Sequence, residues 1–425
     1  MSEKLSVLVG VDWAKDFHQV HVMDRERETL WKGRVEHSAP AIHRLADRLV
    51  ELAEGEPSLV GVAIEIPRGA LVDTLSEHGF QVFALNPKQT DRFRDRYSPA
   101  GAKDDSRDAL VLADALRTDQ HCFRQVRLDD PLVIQLREHV HMHEELRDQE
   151  VRLTNQLRAL LHRYFPQALA HEPRGVTNWL LDLLEHASTP ERARRLQKAT
   201  VAKILKRNMI RRITADGVRA ALREPSLHLT EGAADAASAH VRMLIPRLRL
   251  VRSQKVQVRR RLEQLLDALG QPAPEATETT SPEGREHRDA EILLSMPGVG
   301  TVVAATMLAE ASWALEHRDY QALRGHAGIA PVTYASGTKS RVRMRKACNG
   351  RLRDACYHWA RVASQHDPGC KAYYQRLRGR GHTHGRALRS VANRLLRILV
   401  AALKSHALFD PDHARPVPAA VVATG

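Results

Sequence analysis

The sequence predicts an α/β domain at the N-terminus followed by an all-α remainder, and three observations support this fold class. Short apolar or alternating segments, interrupted by amphipathic helices, fill residues 1–127 and are typical of a mixed sheet. From about residue 128 the apolar period changes to 3.6, which indicates long helices. Residues 270–288 are rich in Pro, Glu and Thr, and they predict a linker between two helical parts.

Within the N-terminal domain each element follows from its own pattern. The run LSVLVGV predicts a buried strand that ends at Asp12, and HQVHVMD and LWKGRVEH alternate as two antiparallel strands. APAIHRLADRLVELAEG is an amphipathic helix with a glycine stop. LVGVAIEI predicts a second buried strand that carries Glu65, followed by a helix, the strand QVFALNP and an acidic helix. In such a sheet we expect the first and fourth strands to be neighbours.

The helical remainder divides into an arm and a C-terminal domain. Residues 128–269 predict a helical arm whose two long helices pair as an antiparallel coiled coil, with shorter helices over residues 170–235. Residues 289–409 predict a mainly helical domain, and residues 410–425 are typical of a disordered tail.

Composition points to a polyanionic partner in the cytoplasm. The chain has 425 residues, enough for two or three domains, and 65 Lys plus Arg against 51 Asp plus Glu give a net charge of +14. Aromatic residues are only 4%, which disfavours a platform for stacking single-stranded bases. The four cysteines show no spacing typical of a zinc site or a disulfide framework. The apolar runs are too short or too interrupted for a signal peptide or a membrane span, so a soluble protein is expected.

Four carboxylates form a candidate metal site. Asp12 ends the first strand, Glu65 lies in the fourth, and Asp105 and Asp108 are three residues apart on one helix. Oxygen ligands without His or Cys suit Mg²⁺ or Mn²⁺, and paired ions of this kind support displacement at a phosphodiester. The alternative is that these residues have structural roles. Asp12 would form a turn after the strand, and the acidic residues of the helix would interact favourably with the helix dipole at its N-terminus, which stabilises a helix by under about 1 kcal/mol.

The C-terminal domain carries a strong excess of positive charge. Between Lys339 and Lys404 there are 17 Lys plus Arg and two acids, which indicates an anionic partner such as duplex or structured nucleic acid. In the segment MPGVGTVV, Gly298 and Gly300 can present backbone N–H groups to a phosphate, as in a helix-hairpin-helix motif. A plain turn between two helices remains the alternative.

These motifs resemble those of a known family. The segments VGVDWAK, AIEIPRG and KDDSRDALVLADAL are similar to the DEDD, RuvC-like N-terminal domain of IS110-family transposases, which has an RNase H fold. The family pattern maps onto Lys103, Asp105, Asp108 and Ala109, and Asp104 stands where threonine is usual. The resemblance therefore implies a catalytic and metal-binding tetrad, made of Asp12, Glu65, Asp105 and Asp108.

The C-terminal segment GIAPVTYASGTKSRVRMRKACNGRLRDA also resembles the IS110 family. The family's proline, Ser-Gly and Lys…Asn…Leu-Arg pattern falls on the following positions: Pro331, Ser336, Gly337, Lys346, Asn349, Leu352 and Arg353. Ser336 takes the place of the nucleophile, and Cys348 departs from the glycine that usually precedes the asparagine. Nucleic-acid contacts are expected from the glycines of the turn and from the residues around the serine: Gly298, Gly300, Lys339, Arg341, Arg343, Arg345, Lys346, Asn349 and Arg353.

The resemblance implies a DNA transposase-recombinase. Mg²⁺ or Mn²⁺ would sit on the tetrad, and Ser336 would form a serine-phosphodiester intermediate with DNA. The implied partners are donor and target DNA, a bridge RNA that guides the reaction, and further copies of the chain as a dimer or tetramer, in the bacterial cytoplasm at the nucleoid. Two alternatives stay open: a metal-dependent structure-specific nuclease of the Holliday-junction resolvase type, which would use water instead of Ser336, and a non-catalytic nucleic-acid-binding protein.

Overall fold

In the computed structural model of the chain, residues Met1–Asp129 form a unit around one six-stranded sheet. Its strands are β1 (Val7–Asp12), β2 (Phe17–Met23), β3 (Thr29–Glu36), β4 (Val60–Ile64), β5 (Gln81–Ala84) and β6 (Arg124–Gln125). They lie in the order β3-β2-β1-β4-β5-β6. The β1–β4 and β4–β5 pairs are parallel and the other pairs are antiparallel. The predicted mixed sheet is therefore confirmed, with the first and fourth strands adjacent.

The structure describes most of the chain, with gaps at several loops. The described ranges are residues 5–97, 105–126, 130–172, 174–226, 230, 232–270, 283–337 and 339–411. Asp104, most of the predicted linker and nearly all of the predicted tail lie outside these ranges. Within them, no helix has the length and apolar character needed to cross a membrane.

The helices of the first unit are α1 (Ala39–Leu52), α2 (Ala70–Glu77), α3 (Pro87–Arg94) and α4 (Asp105–Asp119). Strand alternation separates the two faces of the sheet. Val7, Val9 and Val11 of β1 join the core formed with α1 and α2, whereas Leu8 belongs to the core on the α4 side. Gly10 also faces α4, because an added Cβ there would lie 1.9 Å from the carbonyl oxygen of Ala109. The α4 backbone thus rests directly on β1.

A buried histidine in β2 makes the stability of this unit depend on pH. The His18 side chain is fully buried, and its Nε2 lies 2.8 Å from Nδ1 of His37. Burial, together with the charge of His37, lowers the pKa of His18 from 6.5 to about 4. Between these values the unfolded chain holds a proton on His18 that the folded chain does not. This group therefore removes stability as the pH falls from about 6.5 to about 4.

We expect a His18→Gln variant to lose less stability than the parent protein over this acid range. The difference in slope should approach at most about 1.4 kcal/mol per pH unit, which is the value for one proton. Urea unfolding at a series of pH values, compared between the two proteins, measures it. Parallel pH profiles would show that His18 is not the group responsible.

The second unit, Asp130–Gly425, is mainly helical. Its elements are α5 (Pro131–Tyr164), α6 (Asn178–His186), α7 (Pro190–Arg194), α8 (Lys198–Arg207), α9 (Ala215–Arg223), α10 (Ala233–Gly270), α11 (Glu283–Ser295), α12 (Thr301–Glu316), α13 (Tyr320–His326), β7 (Val332–Ser336), β8 (Lys339–Arg343), α14 (Gly350–His366), α15 (Pro368–Gly379) and α16 (His384–Ser405). Helix α11 begins inside the segment that composition predicts as a linker.

The two longest helices, α5 and α10, pack antiparallel. Gln156 of α5 lies 3.3 Å from His240 of α10, whereas Gln135, at the other end of α5, accepts a hydrogen bond of 3.1 Å from Arg261. Leucines and valines line the contact. Helices α6–α9 complete a core around the end of the pair that contains the C-terminal part of α5 and the N-terminal part of α10. The opposite end, with the N-terminal part of α5 and the C-terminal part of α10, joins a second core with α11–α16.

Candidate functional site

Two of the four candidate carboxylates stand at the ends of neighbouring parallel strands. Asp12 is the last residue of β1, and Glu65 directly follows β4. The register pairs Val11 with Ile64, so Asp12 and Glu65 occupy the next position on each strand. By alternation Asp12 lies on the α4 side of the sheet, as Gly10 does. The sequence placed Glu65 inside a buried strand, which is wrong: it is half-buried just beyond the strand end.

The other two carboxylates lie in the first turn of α4. Asp105 is exposed, and Asp108 is 4% exposed. Asp108 directly precedes Ala109, whose carbonyl oxygen meets Gly10. The close contact between α4 and β1 therefore brings the first turn of the helix to the strand end that carries Asp12. Among the described residues, neither Glu65 nor Asp105 has an ion-pair partner.

An arginine that sequence reasoning missed neutralises Asp108. Arg94 Nε, at the end of α3, donates a hydrogen bond of 2.7 Å to Oδ1 of Asp108, and its Nη1 lies 2.9 Å from Asp91. Partial burial disfavours the charge of Arg94, but the hydrogen bond to Asp108 and the charges of Asp108 and Asp91 raise its pKa. No pattern in the sequence distinguishes Arg94 from Arg92, since only the tertiary contact selects it.

The donor set suits a hard divalent cation, although the carboxylates do not form a closed cluster. Asp12 and Glu65 at the ends of two central strands, and Asp105 and Asp108 in the first turn of α4, offer the carboxylate oxygens that Mg²⁺ and Mn²⁺ prefer. Among the described residues, however, the only three potential ligands with donor atoms all within 4.8 Å of one another are Asp119, His121 and Cys122. His121 and Cys122 are exposed, and their adjacency in the sequence was not interpreted as a ligand pair.

Removing Arg94 should strengthen the response of the first unit to a divalent cation. In an Arg94→Gln variant the buried Asp108 carboxylate loses its counter-charge, which costs a few kcal/mol in the metal-free protein. We expect a lower melting temperature without metal and a larger rise on adding Mn²⁺ than in the parent protein. Thermal unfolding with and without Mn²⁺ measures both shifts.

Arg92→Gln is the matched control, because Arg92 is exposed on the same helix and its substitution removes the same charge. An equal Mn²⁺ response in the two variants would contradict a role for Arg94 at the cation site.

Ser336 lies at the tip of an exposed hairpin in the second unit. It is the last residue of β7 and pairs in register with Lys339, the first residue of β8. Gly337 follows with φ +55°, a left-handed conformation that favours glycine in the turn. The Ser336 side chain is exposed, and it has no hydrogen-bond partner among the described residues.

Two arginines share a face of this hairpin with Ser336. In an antiparallel pair, directly opposite residues point to the same side, and alternate residues on one strand do so too. Tyr334 lies opposite Arg341 and Val332 opposite Arg343, so both arginines belong to the Ser336 face. The guanidinium of Arg343 also lies 5.5 Å from the centre of the Tyr334 ring. The serine hydroxyl and two exposed cations are thus presented together.

The glycine-rich turn before α12 packs against α14. Gly298 has φ +82°, and an added Cβ would lie 2.7 Å from the backbone nitrogen of Ala363. Trp359 Nε1 donates a hydrogen bond of 3.0 Å to the carbonyl oxygen of Pro297. Gly300 is the N-cap residue of α12, is exposed and has no atom within 4 Å of an added Cβ. Gly298 therefore has a packing role, and Gly300 leaves the helix start open.

The remaining residues predicted to contact nucleic acid differ in their exposure to solvent. Lys346 is exposed, whereas Arg345 and Arg353 are half-buried. Asn349 caps α14: its Oδ1 accepts from Leu352 N at 3.1 Å, and its Nδ2 donates to Glu310 at 2.5 Å. Asn349 is thus held by contacts within the protein.

Cys348, the departure from the family pattern, packs against Gly328. An added Cβ at Gly328 would lie 2.7 Å from the Cys348 sulfur, so the small glycine accommodates the larger cysteine.

Comparison with known proteins assigns the class of the molecule. Residues 9–166 match the DEDD domain model of IS110 elements, which is described as a transposase. Residues 290–375 match a second model, described as transposase of the IS116/IS110/IS902 family. The first match contains the four carboxylates and the second contains Ser336. These two matches define a transposase.

Full-length similarity assigns the family. A mini-circle protein of Streptomyces coelicolor, named as the transposase for IS117, is 32% identical over 421 residues, which cover 97% of both chains. The chain belongs to the IS110 family of transposases. A protein of Sinorhizobium fredii, also named as a transposase, is 45% identical over 216 residues. That match spans 51% of this chain and 60% of the relative.

Proposed function

We propose that this chain cuts and rejoins DNA through a covalent serine-phosphodiester intermediate, with Ser336 as the nucleophile. The observation that carries the proposal is the hairpin tip, where the exposed Ser336 shares a face with Arg341 and Arg343. A serine that only caps a turn would have no need of an unpaired cation on the same face, and Arg341 lies one position along this face from Ser336, with Arg343 further towards the base of the hairpin. Guanidinium groups in this position stabilise the charge that develops on a phosphoryl group under attack.

The chemistry needs no external energy source. Ser336 Oγ forms a bond to phosphorus, the bond to the leaving strand oxygen breaks, and the serine proton ends on that oxygen as a free hydroxyl. The reverse attack by a strand hydroxyl restores the serine and joins the new ends. Because one phosphodiester replaces another, the bond energy is conserved at each step.

The four carboxylates would hold the cation. Asp12, Glu65, Asp105 and Asp108 supply hard oxygen donors at one edge of the sheet, and the cation, Mg²⁺ or Mn²⁺, would polarise the scissile phosphate. The order of the first five strands, with β1 parallel to β4 and antiparallel to β2, supports a RuvC-like, RNase H type of fold. We further infer a composite site, in which a neighbouring protomer contributes Ser336 in an even-numbered oligomer.

The basic C-terminal region would bind nucleic acid. Donor and target DNA are the substrates, and a structured bridge RNA is the proposed guide, bound through its backbone and shape. The open N-terminus of α12 at Gly300 supports a helix-hairpin-helix contact with a phosphate. Lys339, Arg341, Arg343, Arg345 and Lys346 would add backbone contacts.

Covalent trapping tests the proposal. The purified chain is incubated with Mg²⁺, labelled DNA spanning an element junction and a target, and the noncoding RNA encoded beside the element. Denaturing gels then separate free DNA from protein-linked DNA, and peptide mapping identifies the linked residue. We expect an adduct on Ser336 that requires both metal and RNA. Metal-dependent cutting without any adduct would instead identify a nuclease that uses water.

A further inference from the structure

A groove with a volume of about 500 Å³ lies at the base of the Ser336 hairpin. Val342 and Arg343 of β8 form one wall, and Arg386 and Arg389 of α16 form another. Arg324 of α13 reaches the same space. Four arginines therefore line one groove, and no carboxylate among the described residues lines it.

The four guanidinium groups lack counter-charges. None of them forms an ion pair with a carboxylate in the described part of the chain. Arg389 Nη1 lies 3.3 Å from the Met344 sulfur, which is a weak acceptor. Arg324 contacts the neutral amide of Gln321 at 3.3 Å. The distinctive feature is that four unpaired guanidinium groups share one groove in which no described carboxylate opposes them.

One hydrogen-bond donor among the arginines of the groove is buried without an acceptor. Arg324 Nε is inaccessible to solvent and has no hydrogen-bond partner among the described residues. A buried unpaired donor is costly unless a ligand supplies an oxygen. An anion with several oxygens would neutralise the charge of the groove, and a small movement of the Arg324 side chain would let one oxygen accept from Nε.

One face of α16 supplies a row of charged and polar side chains to the groove. Arg386, Arg389, Ser390 and Asn393 all line the groove, and their spacing of three, four and seven residues places them on one helix face. Like charges three residues apart destabilise a helix in the absence of an opposing charge. A row of donors over two helical turns suits an extended anion better than a single small one.

We propose that this groove binds the phosphodiester backbone of the DNA strand that Ser336 attacks, a few nucleotides from the scissile phosphate. Ser336 and Val332 stand at opposite ends of β7, four residues apart, so the serine lies about 13 Å from the groove end of the strand. The identity of the bound strand rests on the proposed function. The groove would hold the strand in register while the hairpin tip reaches the phosphorus.

Binding measurements without chemistry test this proposal. A double variant, Arg386→Gln/Arg389→Gln, is compared with Arg397→Gln/Lys404→Gln, which removes the same charge from exposed positions of α16 outside the groove. Both are made in the full chain that also carries Ser336→Ala. Fluorescence anisotropy with a 40-base-pair duplex of random sequence, at several salt concentrations, gives affinity and salt dependence.

The groove variant should bind the duplex at least about tenfold more weakly than the control near 0.15 M salt. Its slope of log affinity against log salt concentration should be smaller in magnitude by about 2, since two phosphate contacts are lost. Equal affinities for the two variants would overturn the proposal. A loss confined to a structured RNA probe of similar length would also overturn it, in favour of an RNA groove.

The same measurements separate this proposal from the proposed function. Duplex binding does not require Ser336, so a groove variant that binds weakly supports the groove even where trapping finds no covalent adduct. Thermal unfolding of both double variants checks that the substitutions leave the fold intact.

Discussion

Replacing Ser336 with alanine is expected to abolish the covalent protein–DNA adduct and to lower strand cutting by at least about 10³-fold. The hydroxyl is exposed at the end of β7, so its removal leaves no cavity and should not change the stability of the hairpin. DNA binding should therefore persist while the chemistry is lost. Labelled DNA on denaturing gels gives the adduct and the cut strands, and anisotropy gives the binding.

Ser340→Ala is the matched control for this prediction. Ser340 stands opposite Ala335 in the same hairpin, is exposed, and belongs to the face away from Ser336. Its loss removes an identical hydroxyl without touching the proposed nucleophile. Full adduct formation in Ser340→Ala and none in Ser336→Ala would assign the serine. Metal-dependent cutting that survives Ser336→Ala would mean that water attacks, as in a nuclease.

The role of the divalent cation is tested in the same experiment with a Glu65→Gln variant. This substitution keeps the size of the side chain and removes the negative charge beyond β4. If the carboxylates hold the cation, both the adduct and the cutting should disappear, with DNA binding kept. Ser336→Ala and Glu65→Gln thus affect the same product through residues of different units.

The sheet was predictable from sequence because its pattern is local. The buried runs of β1 and β4 predicted the two strands, their order in the chain predicted that they are neighbours, and the strand ends then placed Asp12 near Glu65. The exact end of β4 was not predictable, because the apolar run continues to Ile66 while the pairing stops at Ile64. That two-residue difference moves Glu65 from inside a buried strand to a half-buried position just beyond its end.

Contacts between distant residues account for what sequence reasoning missed. Arg94 is one of several arginines near α3, and only the approach of α4 makes it the partner of Asp108. The arginines of the groove come from α13, β8 and α16 and span the chain from Arg324 to Arg389, so no short window of sequence contains them together. Asn349 is a predicted nucleic-acid contact through its place in the family pattern, and the cap that its side chain forms on α14 was not predicted.

Gly10 is the residue on which the geometry of the carboxylates depends most strongly. Its missing side chain lets the backbone of α4 lie directly on β1: an added Cβ would be 1.9 Å from the Ala109 oxygen and 2.6 Å from the Ala113 nitrogen. Both obstacles are backbone atoms, which cannot rotate away. A Gly10→Ala variant must therefore shift α4, and with it Asp105 and Asp108, away from the strand end that carries Asp12.

We expect Gly10→Ala to destabilise the first unit by about 3 kcal/mol, the upper end for overpacking, and to abolish adduct formation. Hydrogen exchange of peptides from β1 and α4 measures the local stability. Gly33→Ala is the control, because an added Cβ there meets only the Trp31 side chain, 2.6 Å away at the edge of the sheet, which can move. Equal protection of α4 in the two variants would show that the helix does not depend on this contact. Faster exchange confined to Gly10→Ala would mean that one glycine sets the distance between the two halves of the carboxylate site.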